Sequence, residues 1–138
     1  VTFLIIGQWR VDPASFAHMP NVRITGPVPY DDLPTFLAPA SALILPYVLN
    51  DLAESINPLK LKEYLATGLP VVASALPEVV KLERFLQVAW DPEDFLDKLR
   101  KAVEHPVSHN GLDAYIDENS WDRKAEAFSV MVEAALEG

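Results

Sequence analysis

Ser55, Lys60 and Glu63 stand in one stretch, 51–72, that reads Asp-Leu-Ala-Glu-Ser-Ile-Asn-Pro-Leu-Lys-Leu-Lys-Glu-Tyr-Leu-Ala-Thr-Gly-Leu-Pro-Val-Val. A polar loop runs into a helix, and the helix runs into a strand. The helix start leaves its first amide hydrogens, near Leu59 and Lys60, without intrahelical acceptors, and the positive end of the dipole lies among them. That arrangement binds an anion, a phosphate above all, with no charged side chain required. Pro58 contributes no donor. Lys60 is close enough to the helix start to reach a phosphate. Glu63, about a turn further on, has a carboxylate able to accept two hydroxyl hydrogen bonds from a ribose.

Each of these residues also has a plainer reading. A glutamate on a helix stripe between lysines is commonly solvated, and pairing with Lys60 would contribute little. Asn57 suits the N-cap position ahead of Pro58, and Gly68 suits the position just past the helix end. Ser55 either donates to a phosphate or sugar, or only supports the loop. Arg10, in Gly7-Gln-Trp-Arg, either supplies a cation to the phosphates or is an ordinary surface residue. Trp121 reads as a core anchor for a last helix, and Asp91 and Asp94 as helix-start acids. His18, His105 and His109 do not have metal-ligand spacing and read as loop histidines.

The elements that must position these groups follow from the apolar pattern. Five short apolar runs, 2–6, 22–25, 42–45, 70–73 and 86–89, read as strands buried on both faces. Helices are expected over 31–37, 58–67, 92–103 and from Ser120 onward. The 58–67 helix places Leu61, Tyr64 and Leu65 on the stripe facing the sheet, with Lys60, Glu63 and Thr67 on another. In 92–103 the apolar stripe is Phe95, Leu96, Leu99 and Val103, with Asp91 as cap. In the last helix it is Trp121, Ala125, Phe128, Val132 and Leu136. Strands alternating with helices predict an α/β fold with a Rossmann-like parallel sheet flanked by helices. Ligands of such sheets sit outside the carboxyl ends of the strands, which directs attention to 7–10, 26–30, 46–57 and 74–78.

Composition narrows the classes. The chain has 138 residues, half of them apolar, and suits a single domain. Its net charge of −9 argues against nucleic acid, which needs clustered Lys and Arg, but permits one diphosphate. Cysteine is absent, which excludes disulfides and thiolate chemistry. No apolar run approaches the roughly 20 residues of a membrane span. Val1 is not a methionine and already lies in a strand-like run, which suggests a piece of a longer chain.

The 62–72 segment, Lys-Glu-Tyr-Leu-Ala-Thr-Gly-Leu-Pro-Val-Val, resembles the second half of the donor-binding signature of group 1 glycosyltransferases with the two-domain GT-B fold. Their pattern is Glu-x7-Glu, a helix, then Gly-x-Pro-Val-Val. Glu63 matches the second Glu, which in the family binds the nucleotide ribose. Ser55 stands where the first Glu usually touches the transferred sugar, with Glu54 one residue earlier. Phe3-Leu-Ile-Ile-Gly, 20–34, Ala42-Leu-Ile-Leu-Pro-Tyr and Asn119-Ser-Trp-Asp are similar to further stretches of the family's C-terminal domain, in the same order. The variant Ser-x-Asn-Pro-Leu-Lys-x-x-Glu-Tyr-Leu-Ala is similar to a branch of bacterial enzymes making surface polysaccharides.

The resemblance implies the C-terminal, nucleotide-sugar-binding half of a GT-B enzyme. Its strands would be the second to sixth of the order 3-2-1-4-5-6, with the first strand and the N-terminal acceptor domain absent. Ser55, Ile56, Asn57, Leu59 and Lys60 would meet the donor diphosphate and sugar, Glu63 the ribose, and Gly26, Pro27 and Val28 the base. The substrate would be a nucleoside-diphosphate sugar and the acceptor a saccharide or lipid-linked glycan. No metal or other cofactor is implied, the location would be cytoplasmic, and any peripheral membrane association would come only through the absent domain. Two alternatives are a nucleotide-sugar epimerase of the same fold and a non-catalytic Rossmann-like module that binds a protein.

Overall fold

Every strand pairing among the described residues is parallel. The structure is a computed structural model that describes residues 1–8, 12–16, 18–106 and 110–136. The chain divides into two units, Val1–Pro39 and Ala40–Gly138.

In the first unit, strands β1 (Phe3–Ile6) and β2 (Val22–Gly26) pair with Phe3 opposite Val22, and the register shifts between Ile5 and Ile6. Asp12 opens a 3₁₀ turn over Pro13–Phe16 by accepting the Ala14 amide at 2.9 Å. The helix expected at 31–37 starts as a 3₁₀ turn, Tyr30–Asp32, and becomes α1 only over Leu33–Leu37. Pro34 explains this: it has no N–H to send to the Tyr30 carbonyl, so the α pattern cannot begin earlier. The expectation of strands buried on both faces fails here, since Leu4 and Ile24 are exposed.

The second unit holds β3 (Leu43–Leu45), α2 (Leu59–Ala66), β4 (Val71–Ser74), α3 (Pro77–Val80), β5 (Gln87–Ala89), α4 (Pro92–Glu104), α5 (Leu112–Glu118) and α6 (Trp121–Leu136). Its sheet has the order β3-β4-β5, with Leu43 opposite Val71 and Val72 opposite Gln87. β4 is central and wholly buried, so its apolar run without polar alternation is what a strand covered on both faces requires. Helix α4 packs on β4 and β5, and α2 packs on α5.

Among the described residues the first unit thus holds a pair of strands and the second a trio. The short helices α3 and α5 were not expected. α3 rests on buried Leu76 and Val79, and α5 begins after Gly111, whose φ of 81° lies in the left-handed region.

Two apolar stripes need correction. On α4 the buried residues are Leu99 and Ala102, while Leu96 is exposed. Ala102, a small residue, is passed over by a pattern search for bulky ones. On α6 no residue is buried, and Trp121 is 80% exposed, so it does not anchor a core. α6 meets α5 at its start, and its apolar stripe otherwise faces outward.

Candidate functional site

The loop after β3, residues 46–58, delivers the chain to the start of α2. Tyr47 N–H donates to the Ser74 hydroxyl at 2.9 Å. Asn50 then folds the loop back: its side-chain oxygen accepts the Ala53 amide at 3.0 Å and its carbonyl accepts the same amide at 2.8 Å. A 3₁₀ turn follows over Ala53–Ser55, with the Ala53 side chain buried. The amides of Ser55 and Ile56 are spent on that turn, donating to the carbonyls of Leu52 and Ala53 at 3.3 and 3.1 Å. Ser55 therefore offers a ligand its hydroxyl, and Ile56 its backbone carbonyl and apolar side chain.

The start of α2 differs from expectation in one respect. Asn57 does not cap it: the N-cap position falls to Pro58, at φ −75° and ψ 102°, and no side chain bonds the first helical amides. Pro58 is buried while Asn57 is exposed, so the proline fixes the entry of the chain and turns the asparagine outward. The consequence for binding is favourable. Leu61 N–H reaches the Pro58 carbonyl at 2.9 Å, but the amides of Leu59 and Lys60 meet no protein acceptor among the described residues. Two donors at the positive end of an eight-residue helix are thus left for an external acceptor.

The faces of α2 are as the spacing requires. Leu61 and Leu65 are buried and Tyr64 is half-buried, whereas Lys60, Glu63 and Thr67 are exposed. The carboxylate of Glu63 thus lies on the face that carries Lys60, not on the one packed into the core. Burial, then the Glu63 carboxylate, then Tyr47 push the Tyr64 phenol above its ordinary value, which places the 46–58 loop and Glu63 in one electrostatic neighbourhood. The helix ends at Gly68, whose φ of 69° only glycine adopts readily. Thr67 locks this exit: its hydroxyl donates to the Tyr64 carbonyl at 2.7 Å and accepts the Leu69 amide at 3.2 Å. The chain is thereby aimed into β4.

The stretch 26–28 belongs to the first unit. Gly26 ends β2 at φ 77°, and its carbonyl accepts the Gly7 amide at 2.9 Å and the Thr25 hydroxyl at 3.0 Å. The positive φ turns the chain out of the strand. Pro27 is exposed, and Gly26 and Val28 are half-buried, so this turn presents mainly backbone and small apolar side chains. Arg10 and His109 lie outside the described residues. His18 and His105 are exposed, and no group of three or more His, Asp or Glu suited to a metal ion occurs among the described residues.

Sequence reasoning flagged the 46–57 and 74–78 segments but passed over Ser74, Tyr47 and Asn50, which fix the loop. A hydroxyl closing the apolar run 70–73 was the available signal for Ser74.

With this geometry established, comparison with known proteins gives its context. The family model described as "Glycosyl transferases group 1" matches residues 1–105. A protein of Bacillus subtilis strain 168, named as a teichuronic acid biosynthesis glycosyltransferase, TuaH, is 34% identical over 122 residues, covering 83% of this chain and 30% of that protein. The chain therefore spans about a third of the length of this curated relative. No solved structure matches the chain.

Proposed function

The chain belongs to the group 1 glycosyltransferases, and from that membership we propose that it is the donor-binding part of an enzyme that transfers a sugar from a nucleoside-diphosphate sugar to a saccharide or lipid-linked acceptor. The observation that carries the reading is the start of α2, where the Leu59 and Lys60 amides meet no acceptor among the described residues and no cap side chain bonds them.

In the proposed reaction the bond between the anomeric carbon and the diphosphate oxygen breaks, and an acceptor oxygen bonds to that carbon. Negative charge grows on the leaving diphosphate. The two amides, the helix dipole and the Lys60 ammonium would stabilise it, and fixed dipoles do so without reorganising during the reaction. Ser55 would donate its hydroxyl to the sugar or phosphate, with Ile56 and Asn57 lining the approach. Glu63 would accept the two ribose hydroxyls, and the family resemblance alone gives the backbone at Gly26, Pro27 and Val28 the role of bordering the base. The acceptor site, the group that takes the acceptor's proton and the strand completing the sheet order would come from an N-terminal part of a longer chain. The relative, of which this chain covers 30%, fits that arrangement in length.

The relative's name concerns teichuronic acid biosynthesis, which favours a polysaccharide acceptor. No helix among the described residues is long and apolar enough to cross a membrane.

The test is titration calorimetry of the full-length protein with the diphosphates of uridine, guanosine, adenosine, cytidine and thymidine. One of them binds, and Glu63→Ala weakens it by about 1–3 kcal/mol, as for loss of hydrogen bonds to a charged group. Equal affinity in both proteins removes Glu63 from the site.

A further inference from the structure

Ser74 is the one polar residue buried among the described residues, at 7% exposure. It closes β4 after Val71, Val72 and Ala73, all buried and apolar. A hydroxyl in such surroundings is costly unless it is bonded, and alanine would fill the same place at no such cost, as Ala73 does next to it. What the hydroxyl bonds is therefore informative. The ladder between β3 and β4 ends with Leu45 opposite Ala73. Tyr47, two residues past the end of β3, is beyond the reach of that ladder, and its amide goes to the Ser74 oxygen at 2.9 Å. The bond thus acts on the loop, not on the sheet.

The loop needs such an anchor. Val48, Leu49 and Leu52 are exposed and contribute little packing. Its other fixings are the Asn50 turn onto Ala53 and the buried Ala53 and Pro58 further along. Ser74 therefore holds the first part of the segment and Ala53 with Pro58 the second. Between them, Ser55 and the open amides of Leu59 and Lys60 receive a defined place relative to the carboxyl end of the central strand. A loop held this way loses less entropy when a ligand orders it.

We propose that Ser74 is a positioning residue for the donor site: its hydroxyl fixes the Tyr47 backbone and so preorganises residues 46–58 ahead of α2. This rests on the donor-site reading given above. Ser74 touches no substrate in this role and acts through the loop.

The experiment uses the full-length protein in wild-type, Ser74→Ala, Ser74→Cys, Ser74→Thr and Glu63→Ala forms, with amide hydrogen exchange and calorimetry against the same panel of nucleoside diphosphates. In Ser74→Ala the amides of Tyr47 and of the following loop exchange faster while those of β4 stay protected. Affinity for the diphosphate falls roughly fivefold, the effect of one lost hydrogen bond. Ser74→Thr, which keeps the hydroxyl on a strand-compatible side chain, restores both. Ser74→Cys, nearly the same size with a weak acceptor, behaves like the alanine variant and serves if alanine loosens the strand. A purely structural serine would lower the melting temperature and leave the affinity of the folded protein unchanged; that result overturns the proposal. If Glu63→Ala weakens binding and Ser74→Ala does not, the positioning role alone is wrong. If the wild type binds none of the diphosphates, or Glu63→Ala and Ser74→Ala both leave affinity unchanged, the donor-site reading falls and takes the positioning role with it.

Discussion

The Lys98 ammonium lies 2.8 Å from the Asp94 carboxylate and also donates to the Val88 carbonyl of β5. Asp94 in turn accepts the Trp90 amide at 2.9 Å. One ion pair thereby ties α4 to the end of the strand before it, with both side chains about a quarter exposed (24% and 29%). The hydrogen bond from Lys98, followed by that from the Trp90 amide, holds the Asp94 carboxyl below its ordinary value. Its contribution to stability is present above the ordinary aspartate pKa of about 3.9 and is lost as pH falls through the lower value of the folded state. Asp94→Asn is therefore less stable than wild type at neutral pH, and the difference narrows as the solution is taken below about pH 4. Urea denaturation at a series of pH values measures this. A gap that stays constant from pH 7 downward would show that the pair does not contribute through its charge.

The starts of α2 and α4 make opposite predictions. Asp91 caps α4, accepting the amides of Glu93 and Asp94 at 3.0 and 2.9 Å. Replacing it by alanine costs about 1 kcal/mol, within the range for lost caps. Asn57 precedes α2 yet bonds none of its amides, so Asn57→Ala changes stability by no more than about 0.5 kcal/mol. Chemical denaturation of the two variants side by side distinguishes them. A cost at Asn57 equal to that at Asp91 would mean that the side chain caps the helix in solution.

These two residues also show where the sequence was legible. The Asp91-Pro92 and Asn57-Pro58 pairs look alike as text, and both advertise a helix start. The difference lies in Pro58, which is buried and takes the cap position itself, and burial depends on tertiary packing that the residue pair does not display. Strands β3, β4 and β5 were readable because continuous apolar runs have one stable use in an α/β fold. β1 and β2 were readable as strands but not as exposed ones, because apolar pattern reports what a strand can bury and not what covers it. The same reason separates Leu61 and Leu65, correctly placed inside, from Trp121, which has the right spacing and no partner surface. Of the candidate site, Lys60 and Glu63 could be assigned to an exposed stripe from the 3.6-residue repeat alone. The loss of the Ser55 and Ile56 amides to a 3₁₀ turn could not, since nothing in those residue types marks the turn.

Phe85 offers a test of how the core supports the site. It is 1% exposed, its ring centroid lies 5.1 Å from that of Tyr115 on α5, and the Arg84 guanidinium sits 4.3 Å above it. Burial lifts the Tyr115 phenol, with Arg84 opposing, which agrees with the ring contact between the turn before β5 and helix α5. α5 in turn packs on α2, the helix that presents Lys60 and Glu63. Phe85→Ala empties a close-packed position and costs about 3–5 kcal/mol, a large part of the stability of a domain this size. Phe85→Leu retains most of the volume and costs less, which leaves enough folded protein for measurement. The leucine variant loosens α5 first, so amide exchange in Leu112–Glu118 rises before that of β4. A variant in which α5 and β4 lose protection together would show that the second unit opens as one cooperative block, with α5 no weaker than the central strand.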